Sequence, residues 1–185
     1  MFNRAVFIDR DGVVNRAITF EGRPFAPTSL DEFEILEGVP EGLALLRRNG
    51  FKTVLVTNQP DISTGKQTLS ELNRIHNFLK EVCEIDLIEV CCHTDEDGCS
   101  CRKPKAGMLL SAARKLSIDL AKSYMIGDRW RDIEAGQNAG CAACFFIDYQ
   151  YSERGPSGNY IKVQSLVESA NIILGLKKRG ENICE

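Results

Sequence analysis

The chain has 185 residues and a mass of 20.6 kDa, the size of one globular domain, and can build a core without disulfides. Hydrophobic residues make up 43% and charged residues 26%, which excludes a disordered or low-complexity chain. With 23 Lys+Arg against 26 Asp+Glu the net charge is −3, and no apolar run is long enough to span a bilayer, so neither nucleic acid nor a membrane is expected as partner.

Residues 5–8 form a short apolar run, predicted as the first strand. The stretch 16–37 that follows holds Gly22, Pro24 and Pro27 and fits a loop or small flap. Leu43, Leu45 and Leu46 mark a helix over 40–49, with Gly50 as its C-cap. A strand is expected at 53–57, then a helix capped by Ser70 and running to 82. Its apolar side carries Leu72, Ile75, Phe78 and Leu79, and His76 sits among them with no assigned role. A strand at 87–91, a helix at 108–116, a strand at 124–126, a helix at 132–138 and a strand at 143–147 follow. Residues 149–160, with Gly155, Pro156 and Gly158, read as a mobile surface loop, and 163–176 as a last helix. The strands are apolar throughout rather than alternating, as parallel strands covered by helices on both faces are. No linker or repeat divides the chain. The expected fold is one three-layer, Rossmann-like α/β domain over 1–185, a central parallel sheet flanked by helices.

In such sheets ligands bind beyond the carboxyl ends of the strands. After the first strand stands Asp9-Arg10-Asp11-Gly12, two carboxylates that point the same way if the chain is still extended. One can act as nucleophile while the other handles protons, although Asp-Gly also makes ordinary turns. After the second strand stands Thr57-Asn58-Gln59, a hydroxyl and two amides suited to gripping phosphate or to opening a plain loop. Past the third strand come Arg102-Lys103-Pro104, a planar fork and a point cation. Past the fourth comes Gly127-Asp128, with Asp132 four residues on. Two such acids suit Mg2+, yet acids also favour the first turn of any helix.

The eight cysteines fall at 83, 91, 92, 99, 101, 141, 144 and 184. The start of the chain lacks the apolar segment of a secretion signal, so reduced thiols and a cytoplasmic location are expected. Cys91, His93, Cys99 and Cys101 form C-x-H-x₅-C-x-C, a soft tetrahedral set that closes around a structural Zn2+ and leaves no catalytic position. Asp97 and Gly98 supply the turn between the two pairs. Cys92 is expected to point the other way, into the protein. Cys83, Cys141 and Cys144 read as small core or near-core residues, and Cys184 as part of a frayed tail.

D-x-D-G, T-N, K-P and G-D-x-x-x-D at successive strand ends, in this order, resemble the haloacid dehalogenase superfamily of phosphohydrolases over roughly residues 4–148. That resemblance implies Asp9 as nucleophile and Asp11 as acid/base, with Thr57 and Lys103 holding the phosphoryl group. Arg10, Asn58, Gln59 and Arg102 are grouped with them as substrate contacts. It also implies Mg2+ on the side chains of Asp9 and Asp128 and the backbone carbonyl of Asp11. The zinc motif ahead of Arg-Lys-Pro is similar to a branch acting on heptose bisphosphates or histidinol phosphate. The activity this resemblance implies is Mg2+-dependent hydrolysis of a sugar phosphate, first a heptose bisphosphate with histidinol phosphate as the alternative, by a capless monomer. One departure stands out: Thr64 occupies a position where the heptose branch carries arginine, with Lys66 and Arg102 as possible replacements.

Overall fold

The computed structural model describes residues 2–175. Strands β1 (Arg4–Ile8), β4 (Phe51–Asn58), β5 (Leu87–Cys91), β6 (Tyr124–Gly127), β7 (Ala143–Ile147) and β8 (Ile161–Val163) form a six-stranded sheet in the order β5-β4-β1-β6-β7-β8. Every pairing in it is parallel. Strands β2 (Ile18–Phe20) and β3 (Arg23–Phe25) make a separate antiparallel hairpin within the predicted flap.

Successive residues of β1 enter opposite cores. Val6 and Ile8 pack with Val39, Leu43 and Leu46 of α1 (Val39–Arg48), Ile75 and Leu79 of α2 (Leu69–Val82), and Leu166 and Ala170 of α5 (Leu166–Ile173). Ala5 and Phe7 pack with Met108, Leu109 and Ala112 of α3 (Gly107–Leu116) and with Ile133 and Ala135 of α4 (Trp130–Ala139). This double burial is why β1 and β4 read as continuous apolar runs. The edge strand β5 departs from that expectation, since all but Cys91 are only half-buried.

The chain order reverses across β1, which has β4 on one side and β6 on the other. A crevice opens at such a reversal, and it lies where Asp9, Asn58 and Asp128 leave their strands. Among the described residues no helix is long and apolar enough to cross a membrane.

Three local expectations need correction. Helix α2 begins at Leu69, capped by Thr68, whose hydroxyl accepts the Glu71 N–H at 3.2 Å; Ser70 lies inside the helix. Val163 ends β8 rather than opening a helix, and α5 starts after Ser165, whose hydroxyl accepts the Glu168 N–H at 3.1 Å. Cys91 is the buried member of its pair and Cys92 the half-buried one, because β5 ends with the Cys91 side chain facing the α3 side of the sheet. Cys83 and Cys144 are buried and Cys141 half-buried, as small core residues should be. Cys184 and residue 176, the predicted end of the last helix, lie outside the described residues.

Candidate active site

Asp9 follows β1, and its N–H donates to the Ile126 carbonyl at 3.0 Å, holding the turn against β6. Gly12 closes that turn at φ +93°, and a Cβ there would sit 1.9 Å from Oδ2 of Asp128, so only glycine permits this approach. Gly127 has the same function on β6, where a Cβ would meet the Cβ of Asp132 at 2.1 Å. The carboxylates of Asp9, Asp128 and Asp132 thereby converge, with one oxygen of each within 4.8 Å of the others.

Lys103 neutralises part of this charge. Its ammonium lies 2.7 Å from Oδ1 of Asp9, 2.6 Å from Oδ1 of Asp132 and 2.8 Å from the Val56 carbonyl, three acceptors for three hydrogens. Burial opposes its charge, but the Asp132 and Asp9 carboxylates outweigh burial and raise its pKa. Asp132 also accepts the Arg129 N–H at 2.9 Å, so it caps α4 with one oxygen and binds Lys103 with the other. One lysine does not suffice for three acids. Burial and then Asp132 push the Asp9 carboxyl up to about 7, against the pull of Lys103. Burial, Asp9 and Asp132 raise Asp128 well above the carboxylate range. Oδ2 of Asp128 accepts the Tyr151 hydroxyl at 2.9 Å, whereas its buried Oδ1 has no hydrogen-bond partner. Hard oxygen donors around an unmatched buried carboxylate oxygen fit Mg2+.

Asp11 is held apart from that cluster. Its Oδ1 accepts Nε of Arg10 at 3.0 Å and Nδ2 of Asn15 at 3.1 Å, and its Oδ2 accepts Nε2 of Gln59 at 2.7 Å. Two residues grouped as substrate contacts, Arg10 and Gln59, thus turn elsewhere. Arg10 is fully buried between the two aspartates and reaches inward to Asp11, to His76 at 3.3 Å and over the Phe33 ring. Strand β1 has already ended at Ile8, and Arg10 turns away from the cavity to pair with the neighbouring Asp11. Gln59 is buried and also donates to the Thr57 hydroxyl at 2.8 Å, which leaves both beneath the cavity floor. Asn58 does line the cavity, but both ends of its amide are bonded to the backbone of Lys103, at 3.1 and 3.2 Å. His76 is a buried acceptor, not a bystander; burial and then Arg10 lower its pKa to about 4.

Above the carboxylates lies a cavity of about 390 Å³. The β2–β3 hairpin forms one wall with Arg23, Pro24 and Phe25, and Asp61, Thr64 and Lys66 lie on another. Its cations are not equally available. Arg129 pairs with Glu153, while Arg102 and Arg131 share Asp95, each at 2.8 Å. Arg23 and Lys66 have no ion pair or hydrogen bond among the described residues.

Beside the cavity, Cys91, His93, Cys99 and Cys101 bring their ligand atoms together. The sulfurs lie 3.2, 3.4 and 3.7 Å apart, and Nδ1 of His93 lies 3.3 Å from Cys101. A tetrahedral zinc with bonds of 2.3 Å needs sulfurs about 3.8 Å apart, so this soft set fits Zn2+ after a slight expansion. Burial opposes ionisation of Cys99, but the Arg102 N–H and the neighbouring thiols outweigh it and bring its pKa to about 7. Arg102 extends from this knot: Nε meets Asp95, and NH1 donates to the His93 carbonyl at 3.0 Å. Its fork is therefore spent mainly on the zinc loop, although its side chain still lines the cavity.

A model of the haloacid dehalogenase-like hydrolases matches residues 4–140. The chain is similar to the D-glycero-β-D-manno-heptose-1,7-bisphosphate 7-phosphatase of Vibrio cholerae, 35% identical over 96% of this chain and 100% of that protein. The enzyme of that name from Helicobacter pylori J99 is 36% identical over 74% of this chain and 79% of its own length. The α-anomer 7-phosphatase of Photorhabdus laumondii is 31% identical over 92% and 96%. Among solved structures, the D,D-heptose 1,7-bisphosphate phosphatase of B. bronchiseptica, complexed with magnesium and phosphate, superposes with a TM-score of 0.80 at 31% identity, covering 93% of this chain and 98% of that one.

Proposed function

The chain belongs to the haloacid dehalogenase-like hydrolases and is a phosphatase, and from that premise we propose that it removes the 7-phosphate of a D-glycero-D-manno-heptose 1,7-bisphosphate. The observation that carries this substrate is the pair of unpartnered cations, Arg23 and Lys66, lining the cavity whose floor holds Asp9. A bisphosphate offers a second anion for them. Histidinol phosphate offers an amine instead, which two free cations beside Asp61, the one lining aspartate without an ion pair among the described residues, disfavour. Lys66 is two residues from Thr64 and supplies the charge that an arginine there would have brought.

Asp9 attacks phosphorus to form an aspartyl-phosphate as the sugar–oxygen bond to phosphorus breaks. Asp11 protonates the departing alkoxide, then takes a proton from the water that hydrolyses the acyl phosphate and restores Asp9. Lys103 orients Asp9 and offsets charge on the phosphoryl oxygens, while Asn58 fixes the Lys103 backbone. Asn15, Arg10 and Gln59 keep the Asp11 carboxylate in one orientation. Asp9, Asp128 and the Asp11 carbonyl would hold Mg2+, which when bound would offset the charge that keeps a carboxylate from a phosphate dianion. Cys91, His93, Cys99 and Cys101 would hold Zn2+, which would fix the loop that carries Arg102 and Lys103.

We read residues 1–185 as one phosphohydrolase domain that acts in the cytoplasm as a monomer, without nucleic-acid or membrane partners. The seven cysteines among the described residues are all free, which fits that location. Phosphate release measured on both heptose bisphosphate anomers and on histidinol phosphate tests the substrate. Lys66→Ala should raise KM for the bisphosphate several-fold and leave a heptose 7-monophosphate unaffected. Faster turnover of histidinol phosphate would overturn the assignment.

A further inference from the structure

Asp128 is fixed from a distant part of the chain. Tyr151 lies 23 residues beyond it, and its hydroxyl donates to Oδ2 at 2.9 Å, leaving the buried Oδ1 unpartnered. The segment 149–154 around Tyr151 is tied down on every side. Tyr149 packs on Tyr151 with ring centroids 5.6 Å apart, and Glu153 accepts Nε of Arg129 at 3.1 Å. Arg154 forms a two-pronged pair with Glu134 at 2.6 and 2.9 Å and stacks 3.5 Å over Trp130. The Ser152 N–H donates to the Gly22 carbonyl at 2.7 Å, which joins the segment to the hairpin that forms the cavity wall.

We infer that Tyr151 is a positioning residue for the catalytic metal: its hydroxyl fixes the rotation of the Asp128 carboxylate so that Oδ1 is presented as the ligand atom. The inference rests on the reading of Asp128 as an Mg2+ ligand. A free carboxylate would sample several rotations, and metal binding would have to select one of them. A hydrogen bond to the non-ligating oxygen removes that cost, and loss of such outer partners weakens metal affinity about 10–100-fold. The link through Ser152 and Gly22 makes the hairpin and the metal ligand parts of one tied segment.

The test is a calorimetric titration of Mg2+ into zinc-loaded protein without substrate, comparing wild type with Tyr151→Phe. The expected result is a dissociation constant raised about 10–100-fold with unchanged melting in Mg2+-free buffer. The Mg2+ concentration for half-maximal phosphatase activity should rise in parallel, while kcat at saturating Mg2+ returns to within a few-fold of wild type. A role confined to packing would lower melting without moving the metal affinity. If wild type binds Mg2+ and Tyr151→Phe binds it equally well, this inference falls and the phosphatase reading stands. If wild type binds none, the metal reading falls and takes the inference with it. Should Tyr151→Phe melt below wild type, the same titration run at a temperature where both proteins are fully folded decides the matter: weaker Mg2+ binding supports the role, and wild-type binding overturns it.

Discussion

Replacing Lys103 with methionine tests the electrostatics of the site most directly, because Lys103 is the only cation bonded to its carboxylate cluster among the described residues. Methionine keeps the length and apolar stem but leaves Asp9 and Asp132 without their 2.7 and 2.6 Å partners. Breaking a buried ion pair by removing one member costs roughly 3–5 kcal/mol. For a chain of this size that is a fall in Tm of roughly 6–20 °C. The loss should depend on pH in a definite direction. Burial and Asp132 already raise Asp9 to about 7, and Lys103 is what holds it down, so the variant's Asp9 rises further. A carboxyl raised above its unfolded value binds a proton in the folded state alone, so stability is retained at low pH and lost as pH climbs through the folded pKa. Urea unfolding in Mg2+-free buffer, without a chelator so that zinc stays, should therefore show a larger penalty for Lys103→Met at pH 8 than at pH 5.5. Adding Mg2+ should recover part of it. Equal penalties at the two pH values, or a variant within about 1 kcal/mol of wild type at pH 8, would refute the account.

Asp9→Asn should lower phosphate release on the order of 10⁴-fold or more while the protein stays folded, since the shape is kept and only the nucleophile is lost. A variant with substantial turnover would sink the aspartyl-phosphate mechanism. His76, lowered to about 4, stays neutral in the fold while the unfolded chain's histidine takes up a proton. Stability should therefore fall as pH drops from about 6.5 to 4, by at most about 3 kcal/mol, and His76→Gln, which can still accept from Arg10, should show a flatter urea profile over that window. Parallel profiles would remove this role. Stripping zinc with a strong chelator should lower the melting temperature and raise KM, because the loop anchoring Arg102 and Asp95 loses its centre. Unchanged melting and kinetics after verified zinc loss would show that the knot is dispensable.

How much of this could be read from the chain follows from what a strand end reveals. Asp9 and Asp128 were legible because an apolar run in a parallel sheet ends at a known edge, and whatever follows it meets the ligand crevice. The direction of each side chain was less legible. Arg10 was grouped with the substrate contacts by its place in the motif, yet it is fully buried and turns its guanidinium to Asp11 and His76. Thr57 and Gln59 were grouped as phosphate contacts by position, yet Gln59 spends its amide on Asp11 and Thr57. The missed boundaries did carry a local signal: Thr68-Leu69-Ser70-Glu71 and Ser165-Leu166-Val167-Glu168 both have the capping-box pattern, which places the caps at Thr68 and Ser165. Tyr151 carried none. Glycine and proline around it suggested a mobile loop, and no periodicity marks a tyrosine that reaches back 23 residues to Asp128.

The charge of the site explains why these distant contacts converge on it. Asp9, Asp128 and Asp132 are buried together with one ammonium among them, so full ionisation leaves a deficit of two charges, that of one divalent cation. Without the cation the site can relieve this only by holding protons, which is the direction in which Asp9 and Asp128 are shifted. Mg2+ binding must displace those protons, so the site is built to be unsatisfied until the metal arrives. Asp132 cannot take the ligand role from Asp128, because Lys103 occupies one of its oxygens and the Arg129 N–H the other. Asp128 has one oxygen on Tyr151 and one on nothing. In a cluster of three carboxylates that asymmetry supports the proposal of Asp128 as the ligand, and a fourth and fifth partner, Lys103 and Tyr151, are what create it.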